Sequence, residues 1–208
     1  MTGTVLGYDP GGNGKHGVAR LTVAAGEPRT LDVATMGTVE DVVRLVEAEA
    51  PLAVGADTLT CWSTGPSGWR PADRWLRAAY PASQRSVASP NSLYGSMSLG
   101  GMAVLLAARS RDADVPITEA HPKALYRAFW HRHYDYAVEA RSMDADLGAV
   151  LGVEVRTGTD HEWDAAVAAL AALHLLRDDW PRDLHALPTA DGERLVAPCG
   201  PTRFVWPE

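Results

Sequence analysis

Cysteine is scarce: Cys61 and Cys199 are the only two in 208 residues, so the chain has neither a disulfide framework nor a CxxC metal pair. Positive charge is also in deficit. Lys+Arg 19 against Asp+Glu 26 leaves a net charge of −7 and an isoelectric point of about 5.5. That excludes a protein that coats nucleic acid with a uniformly basic surface and leaves room only for a local basic strip. Long apolar runs are missing too. The longest in the C-terminal half, 165–173, is bounded by Asp164 and His174, far short of the about 20 residues a bilayer requires. The first residues, MTGTVLGYDPGG, carry no basic region ahead of an apolar run. No secretory signal is therefore expected, and the chain reads as soluble and cytoplasmic, with no membrane partner. There is no internal repeat and no low-complexity tract. What is present is ordinary globular composition, 46% apolar and 22% charged in 22.3 kDa, which rules out disorder for the bulk of the chain.

Residues 4–9 (TVLGYD) form a short β-type run stopped by Pro10-Gly11-Gly12. A second strand over 17–24 and a third over 30–35, with Gly14 and Gly26 at the turns, complete an antiparallel meander. The period then changes: Val39, Val42, Val43 and Val46 recur at helical spacing, and Pro51 ends a helix over 39–50. Residues 52–56 form a fourth strand delivering Asp57. A Ser/Thr/Gly-rich loop over 60–68 precedes a helix opened by Pro71 and running to Ala79. Residues 81–101 read as an irregular excursion before a helix over 102–109. A fifth strand over 115–118 ends at Glu119, His121-Pro122 opens another helix, and 137–150 forms one more. Thr159 and Glu162 match a capping box for a buried Ala/Leu-rich helix reaching Leu176. A Pro/Gly-containing tail, 178–208, ends in a strand at 203–205. This order predicts an α/β chain with a mixed five-stranded sheet, an antiparallel meander followed by parallel strands, with helices on both faces. The expectation is one domain over 1–208, with an insertion around 60–101. A ribonuclease-H-like core fits the order, as do other α/β folds.

The acids give the order chemical content. Asp9, Asp57 and Glu119 each follow an apolar strand. An unpaired buried carboxylate is costly, so three of them need a shared partner. Neighbouring strands lie about 4.8 Å apart, which places acids on adjacent strand ends to grip one cation. Asp164 sits in the first turns of the apolar helix, sharing a face with Asp160 at i, i+4. Hard oxygen ligands with little histidine favour Mg²⁺ or Mn²⁺ over Zn²⁺. Four convergent carboxylates suit two such ions roughly 3.5–4 Å apart, an arrangement that stabilises both oxygens of an in-line phosphoryl displacement. Each acid also has a plain role open to it. Asp9 suits a turn, Asp57 a loop cap, Glu119 an ion pair with a nearby Arg or Lys, and Asp160 a helix N-terminus. The joint placement favours a site.

Five stretches carry a resemblance: GYDPGG from Gly7, VGADTLTCWSTGPSGWRPADRWLR from Val54, YGSMSLGGMAVLLAAR from Tyr94, ITEAHPKALY from Ile117 and DHEWDAAVAALAA from Asp160. They span nearly the whole chain, and the Glu-x-His-Pro and Asp-x-x-x-Asp-Ala elements are the most specific. With them the chain resembles the domain-of-unknown-function 429 family of predicted ribonuclease-H-like nucleases, distantly similar to Holliday-junction resolvases. The resemblance implies a single ribonuclease-H-like domain. By motif match it also implies a catalytic, metal-ligating role for Asp9, Asp57, Glu119 and Asp164, with Asp160 as a further ligand.

A phosphodiester substrate needs cations. Arg70, Arg74 and Arg77 stand at i, i+4 and i+7, and with Arg85 they face the single acid Asp73 between residues 69 and 85. Such a stripe suits successive phosphates, with Trp62 or Trp69 stacking a base. The alternative is a solvated face with the tryptophans in the core. Lys123, Arg127 and Arg132 form a second cluster, in which Lys123 is placed to neutralise phosphate. His121 and His161 are candidates for contacts that support the ligands or for proton transfer. Other motifs fail. The Gly11–Lys15 loop lacks the first Walker glycine and its Ser/Thr, His161-Glu162 lacks the second zincin histidine, and Ser63, Ser67 and His121 make no GxSxG elbow. The expected function is a divalent-metal-dependent nuclease or phosphodiesterase acting on DNA or RNA. Asp9 would bridge two Mg²⁺ or Mn²⁺ ions, with Asp57, Glu119 and Asp164 completing their shells. A homodimer is compatible with this reading. Two alternatives stand beside it: a non-catalytic binding module on the same fold, and a phosphotransferase of the actin and sugar-kinase type, which needs two lobes where 208 residues offer one.

Overall fold

The structure is a computed structural model that describes residues 1–11, 14–65, 68–88 and 95–207, with the side chains of residues 95 and 96 left out. Gly12, Asn13, Ser67 and Tyr94, all within stretches singled out above, lie outside the described residues.

Three strands open the chain: β1 (Gly3–Asp9), β2 (His16–Ala24) and β3 (Glu27–Met36). They pair antiparallel, β1 with β2 and β2 with β3. Helix α1 (Val39–Glu49) is capped by the Thr38 hydroxyl, which accepts from the Asp41 amide at 3.1 Å. Its chain reverses at Ala50 in the left-handed region, φ 43°. Then β4 (Ala53–Ala56) returns parallel to β1. A short β5 (Trp62–Ser63) leads to α2 (Pro71–Ala79), with proline in its first turn, and α3 (Gly95–Arg111) follows. Strand β6 (Ile117–Glu119) adds parallel to β4. Helices α4 (Pro122–Trp130), α5 (Tyr136–Leu151) and α6 (Asp160–Arg177) come next, then β7 (Arg182–Asp183), β8 (Leu195–Val196) and β9 (Val205–Trp206). The main sheet has the order β3-β2-β1-β4-β6. An antiparallel meander extended by parallel strands, with helices on both faces, is the mixed five-stranded sheet of a ribonuclease-H-like α/β fold.

Alternation along β1 divides the interior in two. Val5 joins Ala19, Leu21 and Ala53 under α6, with α4 and α5 packed against that helix. Leu6 and Tyr8 join Val54 and Ala56 under α1 and α3. Helix α6 lies almost on the sheet backbone because glycines floor its bed. A Cβ on Gly7 would stand 1.8 Å from the Ala165 carbonyl, and one on Gly17 1.9 Å from that of His161. This close approach explains an alanine-rich helix that is apolar on every side.

Besides the short strands β5, β7 and β8, which were not expected, the start of α3 and the cap of α6 differ from expectation. Helix α3 starts well before Met102, running through Gly100 and Gly101. At Gly101 any side chain would collide with Thr58, whose hydroxyl would lie 2.4 Å from a Cβ. At the start of α6, the Thr159 hydroxyl accepts from the Glu162 amide at 3.1 Å, but the Glu162 carboxylate takes the Gly158 amide, one residue earlier than a capping box requires. The tail is tied to the insertion: β5 pairs with β8, β7 pairs with β9, and Trp206 packs edge-on against Trp75. Among the described residues no helix is long and apolar enough to cross a membrane.

Candidate active site

The α6 face of the sheet ends in acids. Because Gly7 and Gly55 point at α6, the residues two further along, Asp9 and Asp57, emerge on the same side beside its first turns, where Asp164 sits. The Asp57 amide donates to the Tyr8 carbonyl at 2.9 Å, carrying the β1–β4 ladder one step past the strand and holding the two acids adjacent. Asp9 and Asp164 are buried, 2% and 4% exposed. Burial, then the neighbouring Asp9 carboxylate, pushes Asp164 up to about 8. Burial, then Asp9 and Asp164, drives Asp57 well above the carboxylate range. Burial also raises Asp9, against the opposing hydrogen bond and charge of His161. Burial is thus the first cause at all three, and Asp9 adds to the rise of both Asp57 and Asp164 at the mouth of α6.

Their surroundings orient them without neutralising them. His161 Nδ1–H donates to Asp9 Oδ2 at 2.6 Å, and this bond raises the histidine in turn. The Tyr134 hydroxyl donates to Asp164 Oδ1 at 2.9 Å. Lys123, its ammonium 5.3 Å from the centre of the Tyr134 ring, is the cation whose charge opposes the rise at all three acids. Asp160 is exposed; its carboxylate takes the His161 amide and adds repulsion to Asp9 and Asp164. Sequence reasoning missed Tyr134, which lies in the dense HRHYD stretch between α4 and α5 and belongs to no recognised pattern.

Glu119 overturns the expectation of a fourth free ligand. Its residue pairs with Ala56, and Ala56 with Tyr8, so Glu119 stands one register step away from Asp9 and Asp57. In a parallel sheet, residues in register share a face; the position level with the two aspartates is Ala120, which packs in the α6 core. The Glu119 carboxylate is taken by Arg70 through both oxygens, at 2.7 and 2.6 Å. The Thr60 amide and hydroxyl also donate to it, at 3.0 and 3.1 Å. Burial works against its charge, yet Arg70 holds it well below the carboxylate range. His185, 3.4 Å away, is lowered by burial but lifted more by Cys61 and Glu119, to about 10.

The expected phosphate stripe is likewise engaged. Arg70 is 1% exposed and pinned between Glu119 and Asp73, so it cannot meet a substrate. Arg74 donates to the Trp69 carbonyl and to Glu193, at 2.6 and 3.0 Å. Arg77 lies over the Trp69 ring at 4.8 Å and donates to the Gln84 and Val87 carbonyls. Trp69 packs against the main core, closed over by Arg77. These are the contacts of a helix fastened to its own loops. The His121 ring reaches the Ser86 carbonyl at 3.3 Å rather than a carboxylate. Arg132 pairs with Asp146.

Asp9, Asp57 and Asp164 are hard oxygen donors, none of them paired among the described residues with a Lys or Arg as Glu119 is and only Asp9 bound to a histidine, His161, and that donor set fits Mg²⁺ or Mn²⁺. Glu119, already neutralised, does not fit. As placed, no group of three His, Cys, Asp or Glu side chains among the described residues stands close enough to hold one ion.

No family model matches the chain, so its likeness to the 429 family rests on the motifs alone, and no curated protein matches. Among solved structures it is similar to Thermus thermophilus RuvC, at 17% identity over 84% of this chain and 96% of that one, with a TM-score of 0.49. A second match is T. thermophilus RuvC in complex with Holliday junction substrate, at 16% identity over 85% and 94%, again with a TM-score of 0.49. Both are likenesses of fold.

Proposed function

We propose that this protein is a divalent-metal-dependent nuclease whose working carboxylates are Asp9, Asp57 and Asp164. The observation that carries the reading is the meeting of three carboxylates, from β1, the end of β4 and α6: burial and then Asp9 push Asp164 up to about 8, and burial, then Asp9 and Asp164, raise Asp57. A fold keeps so costly a cluster where a ligand of opposite charge relieves it. Bound there, Mg²⁺ or Mn²⁺ supplies Lewis-acid chemistry, activating water and stabilising a leaving oxygen. The chain's own groups prepare for this. His161 fixes Asp9 through Oδ2, leaving Oδ1 without a hydrogen bond among the described residues, and Tyr134 does the same for Asp164 through Oδ1. Lys123 offers positive charge to a phosphate brought beside the acids.

The test is incubation of the purified chain with Mn²⁺ and labelled single-stranded, duplex, hybrid and branched nucleic acids. Cleavage is expected, reduced more than about a hundredfold in Asp9→Asn or Asp164→Asn. Absence of cleavage on every substrate defeats the reading. Binding that ignores metal and survives Asp9→Asn identifies a non-catalytic module instead.

A further inference from the structure

Two cavities meet beside the carboxylates. One, of about 320 Å³, includes Asp57, Glu119 and His121 in its lining; the other, of about 940 Å³, includes His133, Tyr134, Tyr136 and Asp160. Arg85, Ser86 and Lys123 line both and form the divide between them. The smaller is at the low end of ligand-pocket volumes and the larger near the top. The cations here differ from those of α2. Arg70, Arg74 and Arg77 are engaged internally, whereas Arg85 and Lys123 make no hydrogen bond or ion pair among the described residues. Unpaired cations on a divide between two hollows, next to acids, suit the phosphates of a chain that crosses from one hollow to the other.

Resting on the nuclease reading, we infer that the larger cavity receives an unpaired nucleotide flanking the scissile phosphate, which makes the substrate a single strand or a single-stranded region. Arg85 and Lys123 hold phosphate at the divide. Tyr136 and His133 offer ring surface to the base, and Asp135 and Asp160, also in the lining, accept from its amino groups. A base stacked in a duplex cannot enter such a hollow unless it leaves the stack.

The test separates this inference from the cleavage chemistry by reading binding alone. Fluorescence anisotropy would follow a labelled single-stranded DNA of roughly twelve nucleotides, the same sequence as RNA, and the blunt duplex, in EDTA and again in Ca²⁺. Either single strand is expected to bind at least about tenfold tighter than the duplex. Arg85→Ala should weaken it about tenfold and reduce the slope of log affinity against log salt by about 0.7, the value for one lost single-strand phosphate contact. Ala137→Trp, which fills the cavity from an exposed position on α5, should weaken single-strand binding without changing that slope. Arg44→Ala, on α1 and outside the lining of either cavity, controls for net charge and should change neither quantity. Equal or tighter duplex binding, an unchanged slope in Arg85→Ala, or no binding of any probe overturns the inference. Single-strand binding with these dependences, in a protein that cleaves nothing, defeats the nuclease reading and leaves the cavity assignment standing.

Discussion

Replacing Arg70 with methionine separates a structural arginine from a phosphate-binding one. In the native chain its guanidinium donates to both oxygens of Asp73, at 3.0 and 2.7 Å, and both of Glu119, at 2.7 and 2.6 Å, all buried. Methionine fills much of the same volume and leaves two buried carboxylates. Asp73 keeps the Arg70 backbone amide, and Glu119 keeps Thr60 and His185. The expected cost is therefore that of one broken buried pair, about 3–5 kcal/mol, rather than twice it. That is a large part of a typical stability of about 5–15 kcal/mol. Urea unfolding followed by circular dichroism at neutral pH measures it. Adding Glu119→Gln should recover about 2 kcal/mol, because Asp73 alone is then left buried without its charged partner. The pH dependence supplies a sign. Glu119 is held below its ordinary value in the native chain, so its contribution is present above about pH 4.5 and lost as acid protonates it. In Arg70→Met burial raises the same carboxyl, and stability should climb as pH falls from about 7 to 5. A loss under about 1 kcal/mol, with weakened nucleic-acid binding, refutes the reasoning and returns Arg70 to the substrate surface.

Three further outcomes follow from the same geometry. Asp164, raised from 3.8 to about 8, binds a proton in the folded chain that the unfolded chain releases, so it weakens the fold as pH climbs through that interval. At about 1.4 kcal/mol per unit, shared among three repelling acids, Asp164→Asn should gain about 2 kcal/mol near pH 8 and nothing near pH 4, by urea unfolding at both. Titrating Mn²⁺ to roughly a hundred times its Kd should raise the melting temperature by about 5–10 °C in the native chain, and calorimetry should find that rise abolished in Asp9→Asn. Gly17→Ala places a Cβ 1.9 Å from the His161 carbonyl, and should cost about 3 kcal/mol or more and unseat His161 from Asp9; a variant that melts with the native protein contradicts the packing described.

Local rules carried the sequence a long way, and their limits are specific. Pro71 opens α2 and Thr159 caps α6 because a missing amide and a hydroxyl acceptor act within one turn. Helix α3 was harder to read, since Gly100 and Gly101 look like breakers until Thr58 is seen pressing on them. Asp9 and Asp57 were legible as acids following apolar strands, and Asp164 as the acid that opens an apolar helix. Glu119 satisfies the same local description and behaves otherwise, because a pleated strand turns alternate residues to opposite faces and the pairing offset between β4 and β6 is written in neither strand alone. Arg70, Arg74 and Arg77 form a stripe at helical spacing, and spacing says nothing about whether a guanidinium meets solvent or a carboxylate from a distant segment.

The amino-acid order by itself determined the run of strands and helices, the α/β class and the supply of acids, since these depend on periodicity and capping within a few residues. Only the tertiary structure decided which acids repel one another and which is neutralised, and which cations are left unpaired beside the cavities. Charge energies depend on distance and burial, and both are set by contacts as far apart in the chain as Arg70 with Glu119 and Asp9 with His161.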